Sequence, residues 1–173
     1  RGRFAPSPTG ALHLGNLRTA LVSWLQARLA KGIWLLRIDD LDTPRNRVGA
    51  IESLQQDLRW LGLDWDGPVI FQSRRMGLYS SILSALKRQG RLYPCRCSRR
   101  TLSAASKNLE KKGVYPGTCR NLGLLWGWQH GRLPSWRLKV DGAFSETSGD
   151  LILRRADGFI AYHLATVVDE LTL

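Results

Sequence analysis

"RFAPSPTGALHLGN" (residues 3–16) sets two prolines, several small turn-forming residues and a histidine directly before a long apolar-periodic segment. A loop at the carboxyl end of a first strand, leading into a helix N-terminus, is where open α/β sheets hold ligands. Unpaired N–H groups and the helix dipole favour anions there. Pro6 and Pro8 stiffen the loop, Gly10 and Gly15 permit close backbone approach, and His13 offers a donor to a phosphate oxygen. Such a loop suits a nucleoside triphosphate. The plainer alternative is a turn shaped by proline and glycine, with His13 as a capping residue.

Working outward, Leu17, Ala20, Leu21, Trp24, Leu25 and Leu29 recur at helical steps, which predicts a helix with one buried face, capped by Asn16 and ended at Gly32. "IWLLRID" (33–39) reads as a strand. Ile51, Leu54, Leu58 and Leu61 mark a second helix ending at Gly62. "VIFQ" (69–72) reads as another strand, followed by a third helix capped by Ser73 and closed by Gly90. This alternation predicts an α/β fold with a mostly parallel sheet covered on both faces. Further on come strand-like "WRLKV" (136–140) and "DLILRR" (150–155), a Trp-rich connection at Trp126, Trp128 and Trp136, and "GFIAYHLATVVDEL" (158–171), which fits strand and helix periods equally. The expected division is 1–90 as the first half of a nucleotide-binding domain, 91–123 as a core-poor basic insertion, and 124–173 as a connection leading into a second half.

The 173 residues carry 26 basic and 14 acidic side chains, a formal charge of +12, which implies a polyanionic partner, nucleic acid foremost. Ten of the basic residues fall between Lys87 and Arg120, with Glu110 the one acid among them. No apolar run is long enough for a membrane span, so a cytoplasmic protein without membrane contact is expected. The chain starts without Met and stops in an apolar segment, which reads as a fragment trimmed at both ends.

Three cysteines lie within a short span, and Cys95 and Cys97, two apart on an extended piece, point to one side. Cys119 follows across a basic segment. The alternatives are three reduced buried thiols or a soft metal site suited to zinc, whose tetrahedron needs a fourth ligand; His130 is one candidate.

"RFAPSPTGALHLGNLRTAL", "LLRIDDLD", "LRWLGLDWDG", "QSRR" and "GDLILRRADGFIAYHLATVVDE" together resemble, in order and over nearly the whole chain, the class I glutamyl-tRNA synthetases and their shorter glutamyl-queuosine tRNA(Asp) relatives. "HLGN" stands where that family has its HIGH tetrapeptide. The resemblance implies a Rossmann-like class I catalytic domain with a small zinc-binding insertion, truncated at its C-terminus. It implies ATP with Mg²⁺, L-glutamate and tRNA, tRNA(Asp) foremost, as partners, and a monomer. By the same resemblance Arg3 contacts the side-chain carboxylate of glutamate, while Phe4, Ala5, Pro6 and Ser7 line the pocket. Asp39, where the family has Glu, takes the ammonium, and Tyr162 hydrogen-bonds the amino acid. Pro8, Gly10, His13, Gly15 and Asn16 would bind ATP, with His13 and Asn16 as the catalytic pair, and Cys95, Cys97, Tyr115 and Cys119 would hold a structural Zn²⁺. The family's lysine-bearing loop and a second pocket arginine would lie beyond residue 173, so this stretch alone is expected to be inactive. The alternatives are an ordinary glutamyl-tRNA synthetase charging tRNA(Glu), and a zinc-stabilised RNA-binding module without chemistry.

Overall fold

The chain was analysed as a computed structural model that describes residues 1–98, 100–102 and 114–173. It divides into two compact units, Arg1–Met76 and Gly77–Leu173. The boundary falls ahead of the one drawn from sequence at residue 90, so nearly all of the third helix belongs to the second unit.

In the first unit, β1 (Gly2–Phe4), β2 (Trp34–Ile38) and β3 (Ile70–Phe71) form a parallel sheet in that order, connected through α1 (Leu14–Leu29) and α2 (Ala50–Trp60). Arg3 stands opposite Leu35, and Arg37 opposite Ile70. The core is Phe4, Trp34, Leu36, Ile38, Leu54, Leu58 and Leu63, with Phe4 and Trp34 stacked nearly parallel at 6.3 Å. Asp66 pins the sheet from outside, because its Oδ2 accepts from the Trp34 backbone N–H and from Arg28 Nη1, each at 2.7 Å. Those donors, the backbone N–H first, hold its carboxyl below the ordinary 3.8.

The predicted helix over α1 exists, but its leucine stripe faces outward. The buried residues are Ala20 and Ala27, whereas Leu21, Leu25 and Leu29 are exposed. The reason is close approach. A Cβ on Gly2 would stand 3.0 Å from the Ala27 Cβ and 3.3 Å from the Ser23 carbonyl, so only a helix face of small side chains fits against β1. The helix also ends differently from expectation. Lys31, not glycine, takes the left-handed position (φ 51°), and the Gly32 N–H reaches back to the Ala27 carbonyl at 2.8 Å.

The second unit overturns the expectation of one mostly parallel sheet. β4 (Leu92–Cys95), β5 (Ser135–Leu138) and β6 (Ile152–Arg154) are antiparallel, and β4, assigned from sequence to a core-poor insertion, is buried along its length. Alternating helix and strand periods carry no information on strand direction. Here direction is fixed by Asp150, which is 3% exposed and ties the ends of β5 and β6. Its Oδ1 accepts from the Val140 N–H at 2.8 Å, its Oδ2 from the Tyr93 hydroxyl at 2.6 Å, and its carbonyl from Arg137. Between β5 and β6 lies the short α4 (Ala143–Ser148).

The ambiguous segment is used both ways. Ile160 bridges to Arg154 as extended chain, and α5 (Tyr162–Thr172) begins two residues later. The Tyr79 hydroxyl of α3 (Met76–Arg88) donates to the fully buried Asp169 carboxylate of α5 at 2.9 Å. No helix among the described residues is long and apolar enough to cross a membrane.

Candidate active site and metal centre

Extended chain alternates its side chains, and the opening loop uses that alternation to divide two tasks. Phe4, Pro6 and Pro8 are buried, so the first serves the core and the two prolines anchor the loop. The carbonyl of Pro6 accepts from the Asp39 N–H at 3.0 Å, and that of Pro8 from the Arg47 N–H at 2.8 Å. Arg3 and Ser7 are exposed and Ala5 half-buried on the alternate positions, which leaves them accessible. Gly10 takes φ 152° with nothing within 4 Å of a would-be Cβ.

His13, not Asn16, is the N-cap of α1. Its Nδ1 accepts from the backbone N–H groups of Gly15 (3.1 Å) and Asn16 (3.3 Å), and Asn16 Oδ1 accepts from the His13 N–H at 3.2 Å. This is a capping box built from histidine and asparagine. With Nδ1 accepting, the neutral ring carries its proton on Nε2, which makes Nε2–H a donor directed away from the helix. Gly15 is required for this geometry: a Cβ there would stand 3.0 Å from His13 Cε1 and 3.1 Å from Nδ1.

Asp39 and Asp40 end β2 with opposite duties. Asp39 is 8% exposed and its carboxylate is held by Arg37, Nε to Oδ1 at 2.7 Å and Nη2 to Oδ2 at 3.1 Å. Arg37 itself is 1% exposed, so the pair is a buried, bidentate one. Asp40 accepts from the Ser73 N–H at 2.8 Å and the Ser73 hydroxyl at 2.6 Å, while Asn46 donates to its carbonyl at 2.9 Å. Ser73 therefore sits in a short 3-10 turn, Gln72–Arg75, tied to the end of β2 instead of capping α3 as its position suggested.

In the second unit Cys95, Cys97 and Cys119 bring their sulfurs within 4.8 Å of one another. Cys97 and Cys119 Sγ are 3.5 Å apart, near the roughly 3.8 Å edge of a tetrahedron with 2.3 Å zinc–sulfur bonds. Tyr115 Oη stands 3.3 Å from Cys95 Sγ and 3.7 Å from Cys97 Sγ, the fourth corner of the same cluster, and accepts from the Cys119 N–H at 2.9 Å. His130 is outside this group and occupies a turn with φ 49°. Burial pushes the Cys97 thiol up to about 11 and the Tyr115 hydroxyl upward as well. Three soft donors and one oxygen at these separations fit a closed tetrahedral zinc site with no open position.

The remaining sequence-selected residues are distributed unevenly. Tyr162, 64% exposed, starts α5 in the second unit, edge-on to His163. Of the basic segment, Arg99, Lys107, Lys111 and Lys112 lie outside the described residues. Several others are engaged within the fold. Arg120 pairs with Asp141 at 2.5 Å and Asp150 at 3.1 Å, and Arg96 donates to backbone carbonyls of the Trp-rich loop. Lys87 lies over Trp126 at 4.2 Å.

The family described as tRNA synthetases class I (E and Q), catalytic domain, matches residues 1–172. The chain belongs to this family. It is 79% identical over all 173 residues to the glutamyl-Q tRNA(Asp) synthetase of Prochlorococcus marinus (strain MIT 9303), of which it covers 56%. It is 46% identical, over 98% of its length and 61% of the relative's, to the protein of that name from Chromobacterium violaceum. Among solved structures, a glutamate tRNA ligase from Elizabethkingia meningosepticum in complex with its amino acid aligns over 97% of this chain and 41% of its own, with a TM-score of 0.77 at 27% identity. The chain thus spans about half the length of the curated relatives it matches.

Within this synthetase domain, sequence reasoning missed Arg37, Arg137 and Asp150. Each carried a readable signal. Arg37 and Arg137 are lone charges inside strand-like runs, "WLLRI" and "SWRL", and Asp150 stands immediately before a strand. A charge in a buried strand must be paired, and the partner search begins there.

Proposed function

We propose that the intact protein activates glutamate with ATP and transfers the glutamyl group to the queuosine base of tRNA(Asp). The observation that carries this reading is the 79% identity over the whole chain to a relative bearing that name. Its geometry supports the chemistry. Arg3, exposed at the end of β1, offers a fork to the side-chain carboxylate of glutamate, and Ser7 on the same alternation offers a hydroxyl toward the ammonium. Asp39, held in one orientation by Arg37, receives the ammonium, and Tyr162 is assigned to the amino acid by the family resemblance. The His13 Nε2–H and the Asn16 amide meet the triphosphate, with Pro8, Gly10 and Gly15 keeping the backbone open to it, and Mg²⁺ supplies counter-charge.

In the first step a glutamate α-carboxylate oxygen attacks the α-phosphorus of ATP. A new P–O bond forms as the bond to the β-phosphate breaks, and pyrophosphate leaves with the bonding pair. Catalysis is positioning and charge stabilisation, without a covalent enzyme intermediate. In the second step a nucleophile of the queuosine base attacks the acyl carbon and AMP leaves. Cys95, Cys97, Cys119 and Tyr115 would hold a structural zinc that ties Tyr115 and Cys119 to the end of β4.

Glutamate-dependent ATP–pyrophosphate exchange by the intact protein tests this. Exchange without tRNA, with label transferred to queuosine-containing tRNA(Asp), is expected; strict dependence on tRNA(Glu) would assign the chain to ordinary glutamyl-tRNA synthetases. Arg3→Ala should lower exchange by about 10²- to 10³-fold. If that variant kept exchange but lost RNA affinity, an RNA-binding module would be the better account.

A further inference from the structure

Arg137 lies on β5 opposite Tyr93 and is 5% exposed. Its guanidinium carbon is 3.6 Å from the centre of the Tyr115 ring, the same ring whose hydroxyl reaches the cysteine cluster. One of its nitrogens, Nη1, donates to the Asp150 carbonyl, while its Nε is buried with no hydrogen-bond partner among the described residues. The neighbouring Asp150 carboxylate is taken by Tyr93, Arg120 and the Val140 N–H. Among the described residues, Arg137 forms no ion pair with a carboxylate.

A guanidinium removed from water without a counter-ion is strongly unfavourable, and one aromatic face returns only part of that cost. On the zinc reading given above, a balancing charge would lie at the hydroxyl end of the same ring. Zn²⁺ with three thiolates carries a net negative charge, whatever the tyrosine contributes. Position supports the pairing: Arg137 shares a face of β5 with Ser135, whose hydroxyl donates to the Cys95 carbonyl at 3.2 Å.

We propose that Arg137 is the internal counter-charge of the metal centre, pressing on the Tyr115 ring and balancing the anionic zinc–thiolate group. This rests on the zinc reading given above. It predicts that one side chain acts in opposite directions on the two states of the protein. Zinc affinity, measured by chelator competition at fixed pH, and melting temperature with and without zinc are compared for the intact protein and its Arg137→Met and Arg137→Lys variants.

Arg137→Met is expected to weaken zinc binding about 10- to 100-fold and to lower the melting temperature of the zinc-loaded protein. In the metal-free protein it should leave the melting temperature unchanged or raise it. Arg137→Lys, which keeps the charge, should stay nearer to the unsubstituted protein. The proposal is overturned if Arg137→Met binds zinc as tightly as the parent, if both variants lose affinity equally, or if Arg137→Met lowers the melting temperature equally in both states. A methionine variant that cannot fold even without metal also overturns it, since removing an uncompensated cation cannot unfold the metal-free form. A parent protein that retains no zinc refutes the metal reading instead.

Discussion

The two sites differ in what keeps them in shape. The opening loop of the first unit is held by its own hydrogen bonds: Pro6 and Pro8 carbonyls fix its path, the His13–Asn16 box closes the helix end, and Arg37 clamps Asp39. The cysteine cluster of the second unit has fewer ties of its own, chiefly the Cys119 N–H to the Tyr115 hydroxyl, and burial disfavours the charged forms of Cys97 and Tyr115. The first is complete without a ligand. On the zinc reading proposed above, the second acquires its full set of bonds when a cation replaces the protons, so its stability is conditional where the other's is intrinsic.

The largest expected effect separates the two directly. Stripping zinc with a chelator, or substituting Cys119→Ser, should raise amide exchange throughout residues 92–98 and 114–122 while leaving α1 and β1–β3 protected. Equal exchange in both units would break the contrast. The metal-free protein should also lose stability as pH rises from about 9 toward 11. The buried Cys97 thiol titrates higher in the fold, at about 11, than in the unfolded chain, so its contribution is present below 9 and is lost above 11. Denaturant melts at pH 8 and pH 11 check this.

Next in size is Arg37→Met, which removes the bidentate guanidinium from the buried Asp39 carboxylate. A loss of about 3–5 kcal/mol is expected in urea unfolding, together with a raised KM for glutamate. A smaller effect is expected of Gly15→Ala, whose Cβ would displace the His13 ring and cost about 1 kcal/mol of helix capping. Its more useful signature is a raised KM for ATP at unchanged KM for glutamate.

The smallest effect is that of Asp66→Asn. Its lowered carboxyl contributes stability above the ordinary 3.8 that is lost as pH falls through the folded value, so the variant should flatten the acid limb of the stability curve. An unchanged acid limb would mean that the Trp34 N–H and Arg28 are served equally well by a neutral amide.

Local chemistry was legible in the sequence where one residue decides the matter alone. The strand at 34–38, the end of α2 before Gly62 and the turn at Gly90 all follow from side-chain period and glycine. What stayed hidden depends on partners far along the chain. The outward turn of the α1 leucines is set by Gly2 and Ala27 touching, and the direction of β5 and β6 by Asp150. Asp39 read as a ligand for an ammonium, but that Arg37, two residues before it, fixes the orientation of its carboxylate stayed unread. On a strand those two side chains share a face, which a reading of motifs by resemblance does not consider. Ser73 had the sequence context of a cap, and only the fold brings Asp40 to it.

Arg96 has a consequence of its own. Its guanidinium donates to the carbonyls of Leu125, Gly127, Gln129 and Arg132, and its own carbonyl accepts from Arg132, so one side chain spans an eight-residue loop that contains no helix. Because the grip is on backbone oxygens, the loop can change its side chains freely but not its length. One inserted residue would pull several acceptors off a single rigid fork at once, and this stretch should accept substitution far more readily than insertion or deletion.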